Sequence, residues 1–223
     1  MNPSVNAPVR SAESVLATNK VLRNTYMLLS MTLLWSAMMA GVSMMLQMPP
    51  ATYLISMVLG LVIAFFVLPR TANTGAGLIT VFVFTGLLGF GIGPILNQYL
   101  ALSNGPQIIA MALGGTAAIF LALSGYVLTT QRDFSFLGGF LMVGFLVVIG
   151  AAILNIFLGI PALQLTISAA VIFIMSGFIL YDTSRIIHGG ETNYIMATVG
   201  MYLNIFNIFI SLLQILGIFG GDD

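Results

Sequence analysis

Residues 134–181 read FSFLGGFLMVGFLVVIGAAILNIFLGIPALQLTISAAVIFIMSGFILY and contain no charged side chain. The hydrocarbon core of a bilayer is about 30 Å thick, so a helix needs about 20 predominantly apolar residues to cross it. The segment is long enough for two such helices, and Gly159-Ile160-Pro161 supplies a turn signal between them. It therefore predicts a hairpin of two transmembrane helices.

The rest of the chain repeats this pattern. Arg23 and Arg70 enclose 46 uncharged residues, Arg70 and Arg132 enclose 61, and Glu191 and Asp222 enclose 30. The first two stretches hold two spans each, and the third holds one, so the expected total is seven. The predicted spans are residues 25–46, 53–69, 77–100, 107–128, 136–158, 161–182 and 195–219. This spacing predicts an all-α membrane protein, a seven-transmembrane-helix bundle.

Composition excludes most other classes of protein. Hydrophobic residues make up 59% of the chain and charged residues only 5%, whereas soluble domains average about 25% charged residues. The net charge of zero gives no reason to expect nucleic acid as a partner. There is no cysteine and one histidine, His188, and no nucleophile lies beside a base. We therefore expect no enzyme activity, no catalytic residue, no cofactor and no metal site.

The basic residues predict the orientation of the bundle. They lie in the amino-terminal tail or in the loops after even-numbered spans: Arg10, Lys20, Arg23, Arg70, Arg132 and Arg185. By the positive-inside rule, these segments face the cytoplasm. The prediction is a cytoplasmic tail of residues 1–23, a bundle over residues 24–220 and a carboxyl terminus on the outer side.

Asp182 is the leading candidate for a functional site, because a carboxylate within or at the edge of a span is costly unless it has a role. One interpretation is a helix-end ion pair with Arg185. The other is a gate, in which Asp182 holds neighbouring helices together in one protonation state and releases them in the other. Asn204 and Asn207 of the seventh span are its candidate partners.

Glycines in the third span have two interpretations. Gly89 and Gly93 form a G-x-x-x-G followed by Pro94. Small residues at this spacing let helices pack closely in lipid. The alternative is a flexible or broken helix that lines a cavity.

Other polar side chains also leave alternatives open. The amides near the opposite face either tie helix ends together or line an outer vestibule: Asn97, Gln98, Asn155 and Gln164. His188 and Glu191 are either solvated loop residues or part of a metal or proton site.

Several motifs resemble one family. The most specific are Gly93-Pro94-Ile95-Leu96 with Tyr99, the stretch AMALGGTA at residues 110–117, the loop at residues 129–135, Tyr181-Asp182-Thr183, and residues 188–194, HGGETNY. With them the chain resembles the transmembrane Bax inhibitor motif family, and in particular its bacterial YccA-like branch.

The resemblance implies a seven-helix bundle with the last helix at its centre, in a bacterial inner membrane. It implies two candidate functions. YccA-like members are associated with the membrane AAA protease FtsH as poorly degraded substrates that restrain it, which makes the tail, residues 1–23, the expected contact. Other members are pH-sensitive calcium leak channels closed by two aspartates, and these positions match Asp182 and Asn204 here. The amide at Asn204 weakens the channel interpretation, because it removes one carboxylate of the pair.

Overall fold

The computed structural model describes residues 19–220, and within that range the chain is helical, with no strand. Among these described residues, seven helices are long and apolar enough to cross a membrane, which confirms the predicted number. They are α1 (Lys20–Met45), α2 (Ala51–Thr71), α3 (Ala76–Leu100), α4 (Gly105–Thr130), α5 (Gly138–Leu158), α6 (Pro161–Ile187) and α7 (Tyr194–Gly220). Of the predicted cytoplasmic tail, residues 1–18 lie outside the described range.

The second helix contains a local change of winding. Its α-helical part, Ala51–Val62, gives way to a π-helical turn, Ile63–Val67, before the last turn, Leu68–Thr71. Pro69 explains the change, because proline has no N–H to donate and its ring clashes with the carbonyl four residues earlier. The wider turn accommodates the proline without ending the helix.

The last helix lies at the centre of the bundle, as the family resemblance implies. It packs against α1, α3, α4 and α6, whereas α2 packs mainly on α3 and α5 mainly on α6. Tyr202, Met201, Ile208 and Leu213 of α7 are buried almost completely. Contacts with α7 therefore hold α1, α3, α4 and α6 together in one bundle.

The outside of the bundle is apolar. Leu34, Phe65, Phe140 and Phe157 expose between 67% and 84% of their surface, and many neighbours are similarly exposed. Monomeric soluble proteins rarely show contiguous apolar surface on this scale. With seven spanning helices, this surface identifies an integral membrane protein whose exterior is solvated by hydrocarbon.

Within residues 19–220, the charged side chains lie towards one end of the bundle, which we call the basic end. Here lie the start of α1 and the carboxyl ends of α2, α4 and α6, with the basic residues of the described range: Lys20, Arg23, Arg70, Arg132 and Arg185. Hydrogen bonds join these segments. Asn19 donates to the Ile186 carbonyl (3.0 Å), and Asn193 donates to the Ala72 carbonyl (3.2 Å). Residues 19–220 have no charged side chain at the opposite end, which we call the neutral end.

Candidate functional site

Asp182 and Asn204 form a direct link between α6 and the central helix. The Asn204 side-chain amide donates to the Asp182 carboxylate over 2.8 Å. Asp182 is partly buried, and Asn204 exposes only 6% of its surface. In membrane bundles, polar side chains that bond across helices hold them together, because lipid offers no alternative partner. The structure brings together the two residues that the sequence suggested as gate partners.

Gly200 lies beside this link. It lies one turn before Asn204 on α7, and a Cβ atom at Gly200 would lie 3.4 Å from the Asp182 carboxylate oxygen Oδ2. The carboxylate therefore rests against the backbone of α7 and also bonds to its side-chain amide. A Cβ atom at this distance would be in ordinary van der Waals contact with the carboxylate.

Arg185 does not form the ion pair with Asp182 that one interpretation required. Its guanidinium lies 3.9 Å from the Glu191 carboxylate, donates to the Gly190 carbonyl (2.8 Å) and stands 5.4 Å from the centre of the Tyr181 ring. The physical reason is that α6 continues for five residues beyond Asp182, to Ile187. The helix carries Arg185 to the following loop, whereas Asp182 faces α7.

Asn207 does not join the pair, contrary to the hypothesis that both amides of α7 serve Asp182. Its side-chain amide donates to the Leu203 carbonyl of its own helix over 2.8 Å. The amide thus finds a partner one turn back and needs none on another helix. Only Asn204 is brought to the carboxylate.

The turn that follows Asp182 is fixed to the loop between α4 and α5. Ser184 is buried, and its hydroxyl accepts a hydrogen bond from the Phe134 N–H (2.8 Å). His188 Nδ1 lies 2.9 Å from the Ser184 carbonyl. Asp133 is exposed. Hydrogen bonds from the Ser135 hydroxyl and, to a lesser extent, from the Ser135 N–H keep the pKa of its carboxyl below the ordinary value. The Ser184 hydroxyl also lies 3.3 Å from Asp133 Oδ1 and 3.4 Å from His188 Nδ1. These contacts position the loop beside the end of α6.

His188 and Glu191 are held apart by separate partners. His188 bonds to Ser184, whereas Glu191 accepts from the Asn193 N–H (2.9 Å) and faces Arg185. Within residues 19–220, no group of three His, Asp or Glu side chains is arranged to hold a metal ion.

Comparison with known proteins identifies the family. The sequence model of the family described as "Inhibitor of apoptosis-promoting Bax1" matches residues 18–221. The chain belongs to the Bax inhibitor family. It is 54% identical over 209 residues to "Modulator of FtsH protease YccA" of Escherichia coli K12, with 94% of each chain covered. It is 50% identical over 223 residues to a Vibrio cholerae O1 membrane protein, with both chains covered completely. A third relative, of Escherichia coli O6:H1, is called "Inner membrane protein YccA"; it is 54% identical over 209 residues, again with 94% of each chain covered.

This degree of similarity places the chain in the bacterial YccA-like branch of the Bax inhibitor family. The names of these three relatives are those of membrane proteins and of a protease modulator, and none is the name of an enzyme.

In this Bax inhibitor family member, the glycines of α3 serve close packing against α1. A Cβ atom at Gly89 would overlap the backbone of Ser36, being 2.7 Å from its Cα, and one at Gly93 would be 2.5 Å from the Ser43 Cβ. The helix runs continuously through Pro94. These contacts favour the packing interpretation over a broken helix.

Amides tie helices together at the neutral end of this family member. Asn97 donates to the Met44 carbonyl (3.1 Å), joining α3 to α1, and Asn155 donates to Gln164 (3.2 Å), joining α5 to α6. Gln98 lines a shallow surface depression beside Gln47. The hydrogen bonds of Asn97, Asn155 and Gln164 agree with the interpretation that these amides tie helix ends together.

Sequence reasoning missed the residue that completes this network, Gln214 of α7. Its carbonyl oxygen accepts from the Gln164 side chain (3.0 Å) and from the buried Ser168 hydroxyl (2.7 Å). Gln214 is an amide within an apolar span, as Asn204 is, and such a group needs a partner inside the bundle. This pattern could have identified Gln214 from the sequence.

Proposed function

We propose that this protein is a multi-pass inner-membrane protein that modulates an FtsH-type membrane protease through protein contacts. The observation that carries the proposal is the 54% identity, over 94% of both chains, to a protein named as a modulator of FtsH. The bundle itself supports it, because amide side chains such as Asn97, Asn204 and Gln214 tie its helices together. Such a body is suited to resisting unfolding by a protease.

The proposed orientation puts the basic end and the amino terminus in the cytoplasm and the carboxyl terminus in the periplasm. The support is that all the basic side chains of the described range lie at one end, as the positive-inside rule requires. Alkaline phosphatase fused after Asp223 should be active in the periplasm. A fluorescent protein that lights up in the cytosol at that position contradicts the orientation.

The proposed contact with the protease is the segment that precedes α1, within residues 1–23. A sharp test removes residues 2–18 and retains Asn19, because its side chain caps α1 by accepting from the Leu22 N–H (3.0 Å). The matched control removes residues 221–223 at the other terminus. Co-purification with FtsH and the degradation rate of an FtsH substrate are measured with each variant.

The expected result is that the amino-terminal deletion loses co-purification and relieves the restraint on FtsH, while the carboxyl-terminal deletion retains both. Unchanged thermal stability in detergent shows that the bundle remains folded. Equal co-purification and equal restraint by the two variants would show that the tail is not the contact.

A second candidate function, a pH-sensitive calcium or cation leak, is favoured by one observation, the carboxylate of Asp182 within a spanning helix. It is weakened by its partner, because Asn204 supplies a neutral amide where a second carboxylate would give a divalent cation another anionic ligand. Calcium flux into liposomes distinguishes the candidates when the unmodified protein is compared with Asp182→Asn and Asn204→Asp. Absence of flux in all three proteins between acidic and neutral pH removes the leak.

A further inference from the structure

A cavity of about 250 Å³ lies between α1, α3, α4 and α7. It occupies the half of the bundle nearer the neutral end, because it is lined by the second half of α1 and the first half of α4. Its walls include Gly41 of α1, Ile92 of α3, Leu113 of α4 and Phe206 of α7. The cavity takes no part in the Asp182–Asn204 link.

The lining has no polar group to offer a polar ligand. Two polar side chains line it among the described residues, Ser36 and Tyr202, and their hydroxyls bond to each other over 2.7 Å. The Tyr202 hydroxyl also donates to the Thr85 carbonyl (3.2 Å). Because these groups already have partners, the cavity is chemically apolar and suits a hydrocarbon ligand.

The cavity opens sideways onto the lipid-facing surface. The helices α1 and α4 touch near the basic end, where the Tyr26 and Ser124 hydroxyls bond, but they do not pack closely along their length. Ala37 of α1 and Leu113 of α4 both line the cavity and are exposed on the outside of the bundle. The cavity wall is therefore continuous with the surface that hydrocarbon solvates.

We propose that this cavity is a binding site for one acyl chain of a bilayer phospholipid, from the leaflet at the neutral end. An apolar cavity of about 150 Å³ is enough to hold a benzene ring, so this larger volume holds a segment of an acyl chain. An empty cavity would forfeit the dispersion contacts of its walls. A transmembrane helix of a partner, about 10 Å across with its side chains, is too thick to enter.

An acyl chain in this position braces the central helix. It packs against Tyr202, which lies two residues before Asn204 on α7. The chain therefore adds apolar contacts beside that turn of α7, in addition to those that the protein itself supplies. The proposal does not depend on the modulator function, because the site is formed by the bundle alone.

Photolabelling tests the proposal. The full chain is placed in vesicles of phosphatidylethanolamine and phosphatidylglycerol that contain a phosphatidylethanolamine with a diazirine in the middle of one acyl chain. After illumination, labelled peptides are located by mass spectrometry. The expected labels lie on the cavity side of α7, around Phe206, in addition to the general labelling of the outer surface.

Two glycines give a matched pair of variants. Neither Gly41 nor Gly150 has an atom within 4 Å of the Cβ position, so each accepts a leucine without a clash at that atom. Gly41→Leu fills the cavity, whereas Gly150→Leu adds a leucine on α5, outside its lining. Labelling around Phe206 should fall by about tenfold in Gly41→Leu and stay unchanged in Gly150→Leu.

Equal labelling around Phe206 in both variants would overturn the proposal, and so would labels confined to the outer surfaces of α2 and α5. Absence of lipid label around Phe206 in the unmodified protein would also overturn it. If Gly41→Leu does not fold, Ala37→Leu fills the same opening from the exposed side of α1 and carries the same expectations.

Discussion

The hydrogen bond between Asp182 and Asn204 predicts a measurable energetic coupling between α6 and α7. We expect Asp182→Leu and Asn204→Leu each to destabilise the bundle by about 1–3 kcal/mol, because each leaves a buried polar group without its partner. The double variant should cost less than the sum of the two, since no unpaired group remains. A donor–acceptor distance of 2.8 Å indicates a well-formed bond.

The magnitude of the coupling follows from the surroundings of the bond. Hydrogen bonds to charged groups contribute about 1.5–3 kcal/mol in water-soluble proteins. Cycles in a membrane protein average about 0.6 kcal/mol and reach about 1.7, because the unfolded chain in the membrane also finds partners. Asn204 is buried and Asp182 is partly so, so we expect a coupling near the upper value, about 1–1.7 kcal/mol.

Reversible unfolding in mixed micelles of dodecyl sulfate and dodecyl maltoside measures this coupling. The only tryptophan of the chain, Trp35, lies in α1 and reports the transition by its fluorescence. Asn207→Leu is the matched control, because the Asn207 amide donates within its own helix. A coupling between Asp182 and Asn204 no larger than that between Asp182 and Asn207 would refute the proposed link.

Three further predictions concern packing and helix ties, and each is measured as a thermal midpoint in detergent. Gly89→Ala should destabilise the bundle by about 1–3 kcal/mol, because its Cβ would lie 2.7 Å from the Ser36 Cα and α1 would have to move. Gly41→Ala meets no atom within 4 Å and should stabilise the bundle by about 0.4–1 kcal/mol. Equal midpoints of the two variants would contradict close packing at Gly89. Asn19→Asp keeps the cap of α1 but loses the donor to the Ile186 carbonyl, so we expect the bundle to lose about 0.5–1.5 kcal/mol of stability. Asn19→Ala loses the cap as well, so its thermal midpoint should be lower still. An unchanged midpoint in Asn19→Asp would show that the bond to Ile186 is not formed. Gln214→Leu leaves the Gln164 side-chain amide without its acceptor, whereas the Ser168 hydroxyl keeps the Gln164 carbonyl. We expect a loss of about 1–3 kcal/mol, and a neutral result would show that the network is not formed.

The number of helices and the grouping of the charges could be predicted from the sequence because both follow from the bilayer. Its thickness sets the length of each span, and the unequal cost of placing basic residues on its two sides sets their distribution. These constraints act on each segment separately, so they can be read along the chain. The prediction of seven spans needed no knowledge of how the helices pack.

The partners of the polar side chains could not be predicted in the same way. Arg185 lies three residues from Asp182 in sequence, yet the loop offers Glu191 and the central helix offers Asn204. Which partner forms depends on how far α6 continues and which face it turns to α7. The cavity was equally hidden, because it exists only where α1 and α4 fail to pack.

The position of the link bears on the choice between the two proposed functions. The segment before α1 is fixed at Asn19 to the Ile186 carbonyl, on the same helix as Asp182 and four residues after it. Under the modulator proposal, a protease that pulls on this segment loads α1 through the chain and α6 through the Asn19 hydrogen bond, and the bond to Asn204 passes the load on α6 to the central helix. A pair of carboxylates at this place would repel each other when both are ionised and so release the two helices. The amide of Asn204 does not titrate, so repulsion of that kind is absent, and the arrangement favours a body that stays closed under load over a gate that opens with pH.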